Sequence, residues 1–410
     1  MSIKRLNQTL GNEIEELKKM GTAKKPEMVI YDVIKATGDR GPRFKVKGYD
    51  QEFIKMNSNS YLGLSQRDDL KKVEEEATAK YGLGPGAVRF ISGSYDIHLE
   101  LEKGLAGFHG MEAGMLFSSA YMTTLGVMAS IISSDTIVVS DELNHNCIIN
   151  AMRMARPKGK HIYKHLDMED LKNCLEKSKG QCDRVVVVTD GIFSMRGDHA
   201  PLDEISTICE QYDSHFKDGV VLVVDDSHGV GAFGQNGKGT IEYTNATGVD
   251  VLIGTLGKAF GVNGGYTVTS STIVEYLHQK APTYIYSNPI SPGEAAAALK
   301  ALEILKSEEG KGILAHLRNM TKKFKQGIVD IGYETLPGEH PVVPLMVRDT
   351  KKTSEIVAFL EKNGILATGL NYPVVPKGDE EIRFQISGEH TASDIDTVLS
   401  VLKEYRKQNG

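Results

Sequence analysis

With 410 residues, 40% hydrophobic and 25% charged, the chain has an ordinary globular composition and enough length for two or three domains. A formal net charge of −6 speaks against wholesale nucleic-acid binding, and no block of like charge forms a tail. The four cysteines, Cys147, Cys174, Cys182 and Cys209, show neither a C-x-x-C pair nor a metal-ligand spacing, which reads as free thiols in a reducing, cytoplasmic setting.

In chain order, the opening "MSIKRLNQTLGNEIEELKKMG" predicts a charged helix and no signal peptide. Residues 1–55 read as an N-terminal arm that packs on the main body or on a partner. Residues 68–81, "DDLKKVEEEATAKY", are helical in pattern, so the "GLGPGA" at 82–87 follows a helix where a dinucleotide fingerprint needs a strand. A glycine loop at the mouth of a site is the better account. "GMLFSSAYMTTLGVMASII" (114–132) is the one membrane-like stretch, and its Ser, Thr and Gly content favours a buried helix over a membrane span.

Four β-branched runs follow: "TIVVSD" (136–141), "RVVVVTD" (184–190), "GVVLVVDDSHGVG" (219–231) and "VDVLIGT" (249–255). Helical patterns such as "MEDLKNCLEKS" and "LDEISTICEQY" separate them, so the runs predict parallel strands covered on both faces in an α/β fold. Ligands of such sheets bind beyond the carboxyl ends of the strands, where Asp141, Asp190, Asp225 and Lys258 fall. After "YIYSNPISPGE" come alanine- and lysine-rich helices, short strands and a last helix opened by Thr391 with Asp394 three residues on. The expected division is an arm at 1–55, a large cofactor-binding domain at 56–290 and a smaller C-terminal α+β domain at 291–410.

Within "GTLGKAFG", Lys258 stands among small residues. A lysine amine has an unperturbed pKa of ~10.4, but burial disfavours the ammonium and frees the lone pair for Schiff-base chemistry. Thr255 offers a hydroxyl and the glycines open backbone N–H groups, which suits a phosphate beside the amine. A phosphate next to a Schiff-base lysine suggests pyridoxal phosphate, whose pyridine nitrogen requires an anionic partner. Asp225 at a strand end answers that requirement, with His228 three residues on to reach the ring hydroxyl.

The stretches "VVDDSHGVGAFGQNGKGT", "GTLGKAFGVNGGY", "SDELNHNCIINAMR", "TDGIFSMRGDHAPL" and "NYPVVPKGDEEIRFQISGEHT" resemble the α-oxoamine synthases, pyridoxal-phosphate acyltransferases of the type I aminotransferase fold. The match runs from about Asn57 to the C-terminus. It implies a mostly parallel central sheet with helices on both faces, and a homodimer with shared active sites. Lys258 would carry the cofactor, Asp225 pair with the pyridine nitrogen, His228 contact the ring hydroxyl and His145 stack on the ring. The backbone of Ala120 and Tyr121, with Thr255, would hold the phosphate, and Ser287 and Asn288 would reach it from the neighbouring subunit. Arg383 would clamp the amino acid's carboxylate, with Asn59 and Ser194 lining the site.

The reaction implied is condensation of a small amino acid with an acyl-CoA to an α-amino ketone and CoA, with no nucleic acid, metal or membrane span involved. "VRFISG", "VDDSHGVG" and "YPVVPKG" look closest to the glycine C-acetyltransferase branch, which favours glycine and acetyl-CoA. "SSAYMTTLG" and "SMRGDHAPL" look more like the serine palmitoyltransferase or 8-amino-7-oxononanoate synthase pattern, a decarboxylative condensation with a longer acyl thioester. Arg196, where many relatives carry an acid, and a short "KAFGVNGGY" loop depart from the acetyltransferase pattern. A catalytically silent partner subunit would be expected to lack the lysine, and a nicotinamide dehydrogenase would need the missing βαβ fingerprint.

Overall fold

The computed structural model describes residues 2–20, 23–24, 26–372 and 374–409. Its centre is a seven-stranded sheet in the order Ala113–Phe117, Gly265–Thr269, Val251–Thr255, Val220–Asp225, Arg184–Asp190, Thr136–Asp141 and Gly159–Tyr163. Gly265–Thr269 runs antiparallel to both of its neighbours, and the remaining pairings are parallel. The four β-branched runs therefore lie where the sequence predicts them. Their valines and isoleucines, the partly exposed Val221 apart, are buried because helices cover each face.

Residues 114–132 differ from the single buried helix expected of them. They begin in the strand Ala113–Phe117, turn at Ser119 and continue as the helix Ala120–Ile131. The apolar run is continuous through both elements, so hydrophobicity alone conceals the break. Ser119 marks it, because its hydroxyl accepts the Met122 N–H at 3.2 Å as a helix N-cap. The cap read at the last helix is present, Thr391 and Asp394 capping each other ahead of Ala392–Asn409, and Asp167 accepts two N–H groups ahead of Met168–Ser178.

Two smaller sheets flank the central one. Ile30–Ile34, Arg43–Val46 and Glu52–Lys55 pair antiparallel, and Ile365–Leu366 adds to Glu52–Lys55 in parallel, tying the N-terminal segment to the C-terminal part. Glu334–Thr335, Val342–Met346, Glu381–Gln385 and Thr368–Leu370 form an antiparallel sheet whose third strand carries Arg383. The first helix, Ser2–Lys19, exposes Ile3, Leu6, Leu10 and Ile14, an apolar stripe that no other part of this chain covers among the described residues. No helix of the described residues is long and apolar enough to cross a membrane.

Close packing at the start of Ala120–Ile131 depends on a missing side chain. A Cβ on Gly265 would lie 2.2 Å from the Ala120 nitrogen and 2.3 Å from the Ser119 carbonyl carbon, so backbone must move to admit it. Gly107, inside the helix Asp96–His109, faces open space. Gly265→Ala is expected to destabilise the fold by about 1–3 kcal/mol through overpacking. Gly107→Ala is expected to stabilise it by about 0.5–1 kcal/mol through helix propensity. Thermal unfolding of the two variants checks both signs.

Candidate active site

Three of the four strand ends deliver polar residues to one cavity of about 300 Å³, whereas Asp141, expected with them, lines neither this cavity nor its neighbour and pairs with His165. Ser119, Ala120, Tyr121, His145, Asp190, Ser194, Asp225, His228, Thr255 and Lys258 line the cavity. It opens beside a cleft of about 500 Å³ that is bordered by Asn57, Ser58, Asn59 and Ser60 on one side and by Gly257, Lys258 and Asn263 on the other. Lys258 borders both spaces. The glycine loop 82–87, expected at the mouth, lines neither.

Lys258 is carried on a tight loop after Val251–Thr255. Leu256 N–H donates to Gly264 O at 3.0 Å, Val262 N–H to Leu256 O at 3.1 Å, and Gly261 N–H to Lys258 O at 3.1 Å. Leu256, Ala259 and Phe260 are buried beneath it. Gly261, at φ 76, brings the turn against Ser65, where a Cβ would lie 2.6 Å from the backbone nitrogen. Burial lowers the Lys258 pKa to about 8; the Arg383 charge adds to that, while Asp225 works against it.

Four donor groups converge on the carboxylate of Asp225. Ser227 supplies its hydroxyl at 2.6 Å and its N–H at 3.2 Å, Thr124 its hydroxyl at 2.9 Å and Cys147 its thiol at 3.4 Å. All four groups are buried, and burial beside the carboxylate pushes the Cys147 thiol's pKa up. The next residue, Asp226, anchors the following loop by accepting the N–H of Thr240 at 2.6 Å and its hydroxyl at 2.7 Å. Burial raises the Asp226 pKa to about 7, and Gly191, Gly229 and Gly239 give it room, since a Cβ on any of them would lie within 2.2 Å of its oxygens.

That loop fixes His228. Nδ1 of His228 lies 2.7 Å from the Tyr61 hydroxyl, whose pKa burial pushes up to about 12, and the His228 carbonyl accepts Nε2–H of His340 at 2.9 Å. Burial, with Lys258 and Arg383 nearby, holds His228 neutral. His145 caps the helix Asn146–Ala155, its Nδ1 accepting the Cys147 N–H at 3.2 Å, while its own N–H donates to Asp190 at 3.0 Å. It is thus a cap and a cavity wall together. Burial also lowers its pKa.

Arg383 arrives from the C-terminal sheet, with Nε donating to the Ser194 carbonyl at 2.5 Å and Nη2 to Asn59 Oδ1 at 3.3 Å. Three chain segments distant in sequence therefore meet around one guanidinium. Ser287 and Asn288 do not line this chain's cavity; they follow Tyr286, which is 80% exposed. Arg196 turns away to Asp198, Nε to Oδ2 at 2.9 Å. His165, between Asp141 and Asp198, completes that cluster with a pKa raised to about 9 by the two carboxylates against its own burial.

Sequence reasoning missed Tyr61, Thr124, Cys147, Ser227 and His340. Thr124, Cys147 and Ser227 lie inside the quoted "SSAYMTTLG", "SDELNHNCIINAMR" and "VVDDSHGVGAFGQNGKGT" without being singled out there. The others reach the site through tertiary packing. The residues present fit pyridoxal phosphate: an amine of lowered pKa, a carboxylate satisfied by donors at the far wall, and a helix start pressed against a glycine for an anion. No group of His, Cys, Asp and Glu among the described residues could hold a metal ion.

The family model for class I and II aminotransferases matches residues 51–402. An 8-amino-7-oxononanoate synthase of Thermosipho melanesiensis is 36% identical over 400 residues, 97% of each chain, and one of Petrotoga mobilis is 40% identical over 362 residues, 88% of this chain and 90% of that one. The solved serine palmitoyltransferase of Sphingomonas wittichii superposes with a TM-score of 0.88 at 23% identity, over 98% of this chain and 97% of that one, which speaks for the fold.

If Lys258 is the amine that captures the cofactor, uptake of pyridoxal phosphate by the apoprotein should accelerate about tenfold per pH unit and level off near pH 8. Stopped-flow absorbance checks this. A rate still climbing beyond pH 10 would mean an ordinary solvated lysine, with its pKa of ~10.4. In sequence, fold and site chemistry alike, the chain belongs to the class I and II aminotransferase family of pyridoxal-phosphate enzymes, among its α-oxoamine synthases.

Proposed function

We propose that this enzyme condenses a small amino acid with an acyl thioester, losing the amino acid's carboxyl group as CO₂, to give a product of the 8-amino-7-oxononanoate type. The relatives' product name supports one pair of reactants by atom balance. A nine-carbon chain with nitrogen on carbon 8 and the ketone on carbon 7 is alanine without its carboxyl group, joined to the thioester carbon of a seven-carbon dicarboxylic acyl group. This supplants the glycine and acetyl-CoA preference drawn from the short motifs, because relatives covering 97% of the chain carry the other name. The short "KAFGVNGGY" loop and Arg196 point the same way.

The observation that carries the reading is the position of Lys258, which borders both the cavity of Asp225 and the outer cleft. A base there reaches the cofactor on one side and an incoming acyl group on the other. Bound pyridoxal phosphate supplies an electron sink for a carbanion at the amino acid's α-carbon. Lys258 holds the cofactor, and its amine, neutral above about pH 8, takes the α-proton once released. Asp225 would stand against the ring nitrogen and His145 would cover the ring face. His228 and Ser194 would meet the ring hydroxyl. The helix-start amides of Ala120 and Tyr121, with Thr255, would hold the phosphate.

Arg383, steadied by Asn59 and the Ser194 carbonyl, clamps the amino acid's carboxylate with its planar fork. Ser287 and Asn288 serve the phosphate of a second copy, and the uncovered stripe of Ser2–Lys19 packs across the same homodimer. The proposal retains the division of the chain at residues 55 and 290.

Release of CoA and CO₂ measured for glycine, alanine and serine against acetyl, seven-carbon dicarboxylic and palmitoyl thioesters tests the reading. Alanine with the dicarboxylic thioester is expected to lead, with one CO₂ per CoA. Glycine with acetyl-CoA leading, and no CO₂ released, would return the acetyltransferase reading. Arg383→Lys should raise the KM for the amino acid roughly 10- to 100-fold, the worth of a charge-assisted contact, while leaving cofactor absorbance in place.

A further inference from the structure

Lys55 borders the outer cleft together with Lys258, and nothing assigned so far uses it. These two are the cations of the cleft's lining among the described residues. Two carboxylates stand on the Asn263 side. Glu294 accepts the Asn263 side-chain N–H at 2.9 Å and the Ser291 backbone N–H at 2.8 Å, and Glu74 lies beside it, since a Cβ on Gly293 would come within 3.0 Å of Glu74 Cγ. Lys55, just ahead of Asn57–Ser60, belongs to the opposite wall. The cleft is therefore polarised, acidic on one side and basic on the other.

The mount of Lys55 is firm and its charge is unanswered. It ends the strand Glu52–Lys55, in register with Leu366, and its carbonyl accepts Nε2–H of His390 at 3.3 Å. The side chain is half-buried, with the ammonium 5.0 Å from the centre of the Phe44 ring, and it makes no ion pair or side-chain hydrogen bond among the described residues. Glu389 shares a neighbouring pocket of about 60 Å³ with Lys55 without pairing with it. Burial raises the Glu389 pKa to about 7 against the pull of Lys55, so this acid is a weak counter-charge. Burial lowers the Lys55 pKa, which Glu389 opposes, and a carboxylate arriving beside it would favour the ammonium further. Ser60 lines both spaces, and its hydroxyl is buried without a partner. A cation lacking an acceptor and a hydroxyl lacking a partner on one wall are what a carboxylate satisfies.

Resting on the reading of the acyl group as a seven-carbon dicarboxylic one, we infer that Lys55 is a specificity-determining residue that receives the carboxylate at the far end of that acyl group, with the Ser60 hydroxyl as a second donor. Lys258, shared by cavity and cleft, puts the reacting thioester carbon at the inner end, so the far carboxylate extends into the cleft. There Lys55 attracts it, while Glu74 and Glu294 on the other wall repel it. Attraction on one side and repulsion on the other together fix the direction in which the acyl chain lies. An acyl group ending in a methyl would leave the ammonium and the hydroxyl without an acceptor, which is the kind of mismatch by which a polar site rejects an apolar analogue.

The test measures kcat/KM for the seven-carbon dicarboxylic and the seven-carbon monocarboxylic CoA thioesters in wild-type holoenzyme, Lys55→Met and Lys55→Arg. The ratio of the two values, dicarboxylic over monocarboxylic, should fall roughly 10- to 100-fold in Lys55→Met, through KM, and stay within about threefold of wild type in Lys55→Arg. A folding defect, or a lost contact to the phosphates of CoA, lowers both thioesters together and leaves the ratio in place. A ratio unchanged in Lys55→Met, or lowered equally in both variants, overturns the proposal. In the unaltered protein, free heptanedioate should compete with the acyl thioester more strongly than heptanoate does, and equal inhibition by the two overturns it as well. A wild-type enzyme that does not turn over the dicarboxylic thioester fails the substrate reading itself, which is a separate result.

Discussion

Four donors on one buried carboxylate set the terms for the rest of this site. Asp225 sits at the end of a strand with little access to water, and a charge there is tolerable only because Ser227, Thr124 and Cys147 are positioned to meet it. Those donors come from three elements, so the arrangement requires Val220–Asp225, Ala120–Ile131 and Asn146–Ala155 to meet as they do. The lowered pKa of Lys258 is the counterpart of this arrangement. Burial favours its free amine, while Asp225 limits how far the pKa falls.

Glycine geometry makes those meetings possible. Gly265 lets the start of Ala120–Ile131 press on the sheet, Gly261 seats the lysine loop on Ser65, and three glycines surround Asp226 beneath the His228 loop. None of these residues touches the reacting atoms. Each removes a Cβ at a place where a catalytic group would otherwise be displaced, so the glycines of "GTLGKAFGVNGG" shape the loop from below as well as leaving space above.

The sequence made the four central strands legible because each is a β-branched run ending on a polar residue, and helices such as Met168–Ser178 because their apolar residues recur at helical spacing. It concealed the break at Ser119, since a strand and a buried helix of equal hydrophobicity look like one run. It also concealed Thr124, Cys147 and Tyr61, whose roles arise from crossings between elements far apart in sequence. Substrate choice was the least legible part. The motifs around Lys258, Asp225 and Arg383 serve a chemistry shared by several branches, whereas the cleft beside them is assembled from Asn57–Ser60, the loop through Asn263 and Glu294, segments far apart in sequence that no single short motif spans.

The central claim, that Lys258 carries pyridoxal phosphate between the Asp225 wall and the helix start at Ala120, is tested most directly by borohydride reduction of the holoenzyme followed by peptide mass mapping. The account predicts loss of the visible band and one reduced pyridoxyl group per chain, on the peptide containing Lys258. A label on another lysine, or no covalent label on a protein that binds the cofactor, would contradict it.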